Sequence, residues 1–530
     1  MPRLRLCLGL TLLFGTASTL RAGDKPLRDI IDREVRAAWQ EKKITPAGKA
    51  DDATFLRRIY LDLVGDIPTH DEAKKFLEDK DPKKRDKLIE KLLADPRFAT
   101  EQAHVWDLLL FGRNPPGYDA TRRRAQFKKW LSEQFAKDVP YDRWVKALML
   151  GEEDGTDLYH VMFRNAPEDA TVAVTRTFLG TQLQCARCHD HPYEKWTQKD
   201  FYGMAGFFVR NVVIDGAGSG EKQKFKIGEK STGDVLFTGS VKEQKPGQKG
   251  MPVPPKFLGG AMLEEPVAPK DYKEPKLNGK DPLPKPLFSR RQKFADWLVA
   301  ADNPWFAKAV ANRVWSQFMG RGLVHPVDDL GDKPASHPKL LEAITREVIE
   351  HKFDLKHLIR ELVSSETYQI GDTGPEKAAM PEWFARARIR PLSAEELMTI
   401  LATATGPDAY GTKSVNENRD YFTRYFGEPT NGQGEFQGSL QEHLFLNNAQ
   451  QIQALCRPRK GNLADTLVMS KAPWEEKVDR LFLSVLSRPP RADERERFVK
   501  HLSSDTKMTP ALVEEAIWVL VSCSEFRFNR

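Results

Sequence analysis

Asp51-Asp52-Ala53-Thr54-Phe55-Leu56-Arg57-Arg58-Ile59-Tyr60-Leu61-Asp62-Leu63-Val64-Gly65 decides the fold class of this 530-residue chain. Asp51 or Asp52 can accept a hydrogen bond from the orphan amides of a first helical turn. Phe55, Leu56, Ile59, Leu61 and Leu63 supply the apolar side, and Gly65 supplies the left-handed stop. The same grammar repeats in both directions. Upstream, Ile30, Ile31, Val35 and Trp39 stand at helical spacing over 26–42. Downstream, Thr69-His70-Asp71-Glu72 is a capping box. Asp81-Pro82 opens a helix carrying Leu88, Ile89, Leu92 and Leu93, and Asp95-Pro96 breaks it. Further helices follow to about Arg113, around Phe127-Trp130-Phe135, and around Trp144-Leu148-Leu150.

The pattern changes over 211–285. Gly, Pro and Lys accumulate there, with short alternating runs at Lys224-Phe225-Lys226-Ile227 and Asp234-Val235-Leu236-Phe237. Such runs predict a small β hairpin or sheet followed by a Pro-rich linker. Met251-Pro252-Val253-Pro254-Pro255 cannot be a central strand, because proline has no amide to donate. Helical periodicity returns near Ser289 and continues through Asn303-Pro304, a stop at Gly320, a pair over 340–362, a capping box at Ser393-Ala394-Glu395-Glu396, and 475–523. The predicted fold class is mainly α: two helical domains, 25–210 and 286–530, joined by a small β-containing, Pro/Gly-rich segment at 211–285.

One motif carries chemistry. Cys185-Ala186-Arg187-Cys188-His189 is followed by Asp190-His191-Pro192. Cys-x-x-Cys-His is the attachment pattern for c-type haem: two thiols form thioethers and the next imidazole takes the iron. The helix opened by Pro167-Glu168-Asp169 runs towards Cys185, and Pro192 disfavours helix at His191. The spacing therefore predicts a site at a helix C-terminal end, with Cys185, Cys188 and His189 on one side. Trp196 and the run Phe201 to Phe208 could wall a haem slot or could be ordinary core. The same residues also suit zinc or another transition metal, with His189 and His191 as ligands, or a redox thiol pair. Met204, His160 and His337 are equal candidates for a distal haem ligand.

The N-terminus reads as an export signal over 1–22. Arg3 and Arg5 precede a short apolar run from Leu6 to Phe14, and Ala17, Ser18 and Ala22 are small residues near a cut. The product expected is extracytoplasmic, periplasmic or secreted, where haem attachment takes place and disulfides persist. Four cysteines would then remain; Cys456 and Cys523 could pair or stay as free thiols. No segment is long and apolar enough for a membrane span. The formal charge is +7, of which Arg3, Arg5 and Arg21 carry three, leaving +4 on a dispersed pattern that makes no case for nucleic acid.

Ile59-Tyr60-Leu61-Asp62-Leu63-Val64-Gly65-Asp66-Ile67-Pro68-Thr69, and Phe178-Leu179-Gly180 leading to the Cys-x-x-Cys-His motif, resemble the first domain of a secreted planctomycete-type family. Asn303-Pro304-Trp305-Phe306-Ala307, Asn312-Arg313-Val314-Trp315, Gly320-Arg321-Gly322-Leu323-Val324 and the closing Ser524-Glu525-Phe526-Arg527-Phe528-Asn529 resemble its second. The family pairs a cytochrome-like domain of unknown function with a planctomycete-specific C-terminal domain of unknown function. The resemblance implies Cys185, Cys188 and His189 as cofactor-binding residues and carries no established activity.

Two secondary clusters stand out. Asp328, Asp329 and Ser336-His337-Pro338 offer carboxylates and an imidazole, or plain turn chemistry. Arg313 and Arg321, interleaved with Trp315 and Phe318, suit an anionic or sugar-like ligand, or salt bridges. No phosphate loop, nucleophile elbow or zincin pattern occurs, so no catalytic residue is assigned. The leading expectation is a haem-c or other metal-binding protein with a redox role and an extracytoplasmic redox partner or secreted companion. The alternative is a secreted interaction or carbohydrate-processing protein whose Cys/His cluster is a structural metal site or disulfide.

Overall fold

A computed structural model describes residues 25–113, 118–237, 250–277, 282–331, 333–406, 440–505 and 509–530. The expected leader over 1–22 lies outside them. The described chain is mainly α, and its strands form three two-stranded antiparallel sheets.

Local signals account for most helix ends. Asp51 caps Asp52–Val64 by accepting from the Thr54 amide at 2.7 Å, and Gly65 closes it at φ +63°. The boxes at Thr69 and Ser393 open His70–Glu78 and Ala394–Thr405. One expectation shifts: the helix signalled at Asp81-Pro82 begins at Lys84, because Asp81 spends its carboxylate on the Lys83 amide at 2.8 Å in a preceding turn.

In the middle segment Asn211–Asp215 pairs with Phe225–Glu229, placing Val213 opposite Ile227. Val235–Phe237 pairs with Met251–Val253, placing Leu236 opposite Pro252. Pro252 is tolerated because that sheet has only two strands, so both are edges.

The buried apolar side chains form two cores. The first draws on residues 27–385 and takes helices from both sides of the β-containing segment. Phe306–Met319 runs through it with Ala309, Val310, Ala311, Val314 and Trp315 at most 1% exposed. It packs on both Pro167–Phe178 and Pro338–Glu350. The second core is built from residues 392–526, and Leu61 and Ile67 join it.

The helix Asp52–Val64 lies between the two cores and is tied to distant segments by its charged residues. Arg57 donates to the carbonyls of Val485 and Phe526, at 3.3 and 2.8 Å. Arg58 donates to those of Tyr368, Ile370 and Arg530, at 2.7–2.8 Å. Asp62 accepts from the Tyr368 hydroxyl at 2.7 Å, Arg390 at 3.0 Å and Asn529 at 2.8 Å. Asp62 and Glu396 keep the buried Arg390 guanidinium charged despite its desolvation.

Candidate functional site

The helix that leads to the cysteine motif starts at Pro167 and ends at Phe178, seven residues before Cys185. Gly180 at φ +58° turns the chain, and its carbonyl accepts the Leu330 amide at 2.6 Å. The motif therefore does not sit on the end of that α-helix, which corrects the expectation from sequence. Gln184–Arg187 forms a separate single turn of 3₁₀-helix.

That turn explains the display of the thiols. A 3₁₀ turn has about three residues per turn, so positions i and i+3 eclipse. Leu183 and Ala186 share the inner side and are fully buried. Cys185 and Cys188 share another side, and both are exposed free thiols. The Arg187 carbonyl accepts Gln198 Nε2 at 3.2 Å and the Tyr202 hydroxyl at 3.1 Å, which braces the turn from outside.

The two imidazoles are held differently. His189 Nδ1 lies 2.7 Å from the Asp190 carbonyl. A carbonyl only accepts, so Nδ1 carries the proton and the Nε2 lone pair is left for a ligand role. His191 Nδ1 instead accepts the amides of Glu194 at 2.9 Å and Tyr193 at 3.3 Å. Its neutral form must then carry the proton on Nε2. His191 thus shapes the turn that its own amide closes on the Trp196 carbonyl at 2.8 Å. No three donor atoms among Cys185, Cys188, His189 and His191 gather within 4.8 Å. Asp190 is spent on the Gln198 amide at 2.9 Å.

The downstream aromatics are committed to the core. Trp196, Phe201, Met204, Phe207 and Phe208 are buried. Phe207 stacks on Phe257 with centroids 4.8 Å apart, and Trp196 meets Trp305 edge-on at 5.9 Å. The apolar surface near the motif comes from elsewhere. A cavity of about 320 Å³ is walled by Leu109, Phe111, Met162, Phe163 and Val172 together with the charged Arg113, Asp169, Arg176, Arg313 and Asp328, and reaches the motif at Arg187 and the preceding Gln184. A second cavity of about 680 Å³ is lined by Gln182, Arg321, His325, Asp328, Arg386 and Arg388.

Asp328 borders both cavities. It accepts from Arg176 at 2.6 and 2.9 Å and from Gln182 at 3.2 Å. Burial raises its pKa, but the Arg176 hydrogen bond and charge outweigh burial and hold the carboxyl below its usual range. Asp329 instead pairs with Lys333. His337 is buried against Trp383 and Phe384, and burial pushes its imidazole down to about 4. The Asp328–His337 stretch is therefore not one converging cluster. Arg313 donates to the carbonyls of Arg176 and Thr177, at 3.2 and 3.3 Å, and so caps the end of Pro167–Phe178. Arg321 lines the larger cavity. His160 and Met204 are core residues, and burial together with Arg291 pushes His160 down to about 3. Cys456 and Cys523 are unpaired.

Reading the sequence missed one group. Glu347, His351 and His357 bring their donor atoms within 4.8 Å of one another. The i, i+4 spacing of Glu347 and His351 was the available signal; His357 comes from the next helix.

Residues 30–212 match the family described as PSCyt2, protein of unknown function (DUF1549), and residues 290–431 match PSD1, protein of unknown function (DUF1553). The chain thus carries a pair of domains of unknown function. No curated protein and no solved structure matches it. No described helix is long and apolar enough to cross a membrane.

Proposed function

We propose that Cys185, Cys188 and His189 form the attachment point of a c-type haem, and that the exported protein serves a redox role towards an extracytoplasmic partner. One observation carries this reading: two exposed thiols share one side of a single 3₁₀ turn, and the neutral imidazole that follows keeps its Nε2 lone pair free. Haem attachment needs both thiols open to reaction and the histidine in that tautomer. The cavity that reaches Gln184 and Arg187 supports it, since its Leu109, Phe111, Met162, Phe163 and Val172 offer apolar surface for a ring beside the charged Arg176, Arg313 and Asp328. In this reading Cys185 and Cys188 supply the thioethers and His189 one axial ligand. Such a group supplies one-electron transfer. Zinc or another transition metal at the same residues receives less support, because the four donor atoms are not gathered and His191 uses Nδ1 within its own turn.

The test is the intact mass and the reduced-minus-oxidised spectrum of protein made in a host with haem-attachment machinery. One haem mass per chain, lost in Cys185→Ser/Cys188→Ser, is expected. An unmodified mass without a Soret band refutes the reading. One zinc per chain in that sample, lost in Cys185→Ser, would favour the metal alternative.

A second reading, an interaction or carbohydrate-processing protein, is favoured by the larger cavity. There Arg321 and Arg386 make no ion pair within the described residues, while Asp372 is neutralised by Arg530 at 2.8 Å. Such a cavity suits an anionic or polyhydroxylated ligand.

A further inference from the structure

We infer that Glu347, His351 and His357 form a second metal site, separate from the cysteine motif, for a divalent first-row transition ion such as zinc. Glu347 lies in the last turn of the helix Pro338–Glu350, and His351 is that helix's C-cap. His357 lies in the first turn of Leu355–Ser364. The intervening turn brings both imidazoles to the same carboxylate oxygen. Glu347 Oε1 is 2.7 Å from His357 Nε2 and 3.3 Å from His351 Nε2. The two rings stack with centroids 3.7 Å apart and planes 8° apart, so the imidazoles are adjacent, and binding one ion would require them to turn until their in-plane Nε2 lone pairs converge on it.

Donors bound at about 2.0–2.2 Å can stand up to about 4.2 Å apart around one ion. Both carboxylate–imidazole separations fall inside that span. Two imidazoles and one carboxylate are the donor set that suits zinc, copper, nickel and iron rather than magnesium or calcium.

The arrangement is held from beneath. Lys352 and Phe353 take left-handed backbone, at φ +53° and +60°. The Phe353 amide donates to the Val348 carbonyl at 2.7 Å, and its carbonyl accepts the Tyr141 amide at 3.0 Å. The Phe353 ring is buried, 5.4 Å from Phe306. Asp354 caps the second helix through the His357 amide at 2.9 Å. The turn that brings the three side chains together is thus anchored in the first core. Of the nearby cations, Lys356 pairs with Asp138 at 2.5 Å, and the exposed Arg346, 4.0 Å from Glu350, also acts on the Glu347 carboxylate. His351 is about half exposed, with 47% of its side chain accessible, so an ion can enter and keep water in its open positions. Bound there, it would tie the end of one helix to the start of the next.

The test uses the full chain carrying Cys185→Ser/Cys188→Ser, so that the exposed thiols of the motif cannot contribute. Zinc titration by calorimetry should give one site. Cobalt in its place should give visible ligand-field bands without sulfur charge-transfer absorption. His351→Ala and His357→Ala should each weaken binding about tenfold or more, as loss of one ligand requires. His70→Ala, which removes a half-buried histidine beside Asp71, should leave it unchanged. His351 sits at a helix end, and far-UV circular dichroism checks that its variant folds. Absence of zinc binding in the Cys185→Ser/Cys188→Ser chain, or binding indifferent to both histidine substitutions, overturns the proposal.

Discussion

Replacing Gly180 with alanine puts a methyl group where Leu330 already stands. Gly180 has φ +58°, and a Cβ built there lies 2.7 Å from Leu330 Cδ1 and 2.8 Å from Cγ. Carbon contacts are comfortable at about 3.5–4.0 Å, so Leu330 must move. The left-handed backbone costs an L-residue roughly 1–2 kcal/mol, and overpacking costs about 1–3 kcal/mol. Gly180→Ala should therefore destabilise by about 3 kcal/mol. Leu330 is fully buried, so Leu330→Ala alone should cost about 2–5 kcal/mol. With the leucine branch gone, the new methyl has room. The double variant should then cost less than the two singles together by about 1–3 kcal/mol, the steric part of the penalty. Urea unfolding followed by near-UV circular dichroism measures all three. Additivity within about 0.5 kcal/mol, or a single-variant cost below about 1 kcal/mol, would refute the reasoning. The position matters because Gly180 turns the chain from the end of the helix towards the cysteine turn, and its carbonyl ties that bend to the loop of Asp328 through the Leu330 amide.

Thiol reactivity should divide the four cysteines in protein made without haem-attachment machinery. Cys185 and Cys188 should label rapidly, whereas burial pushes the Cys456 thiol up to about 12 and should protect it until unfolding; peptide mapping that finds Cys456 labelled as fast as Cys185 would count against the structure. The pH dependence has a definite sign. Burial, with Arg291 nearby, pushes folded His160 down to about 3, while an unfolded histidine titrates near roughly 6.5. The unfolded chain thus binds the proton first, and stability falls as pH drops from about 6.5 towards 3. His160→Gln should shallow that decline in the unfolding midpoint, and an unchanged slope would show that other groups cause it.

Much of the helical layout was legible in the residues. Asp51 with Gly65, the Thr69 box, and Ser393 with Glu396 act within one or two turns, so the chain states them locally. The motif was legible as chemistry but not as geometry. Nothing between Asp169 and Cys185 signals the break except Gly180, and glycine is common inside helices whose neighbours tolerate it. Arg57, Arg58 and Asp62 looked like the wet side of an amphipathic helix. Arg57 and Arg58 are instead buried and Asp62 half-buried, because their partners are backbone carbonyls and side chains 306 to 472 positions away.

By itself the sequence determined the mainly helical class, the β-containing interruption, and a thiol followed by a second thiol three positions on and an imidazole four positions on. Each depends on periodicity, capping or spacing within a few residues. The tertiary structure alone decided that helices on both sides of the interruption share one core, and that Leu61 and Ile67 belong to the other. It alone brought Asp328 to Arg176 and His357 to Glu347. Those outcomes depend on which apolar faces meet, and burial free energy is non-directional, so a local pattern states that a face must be covered without stating by what.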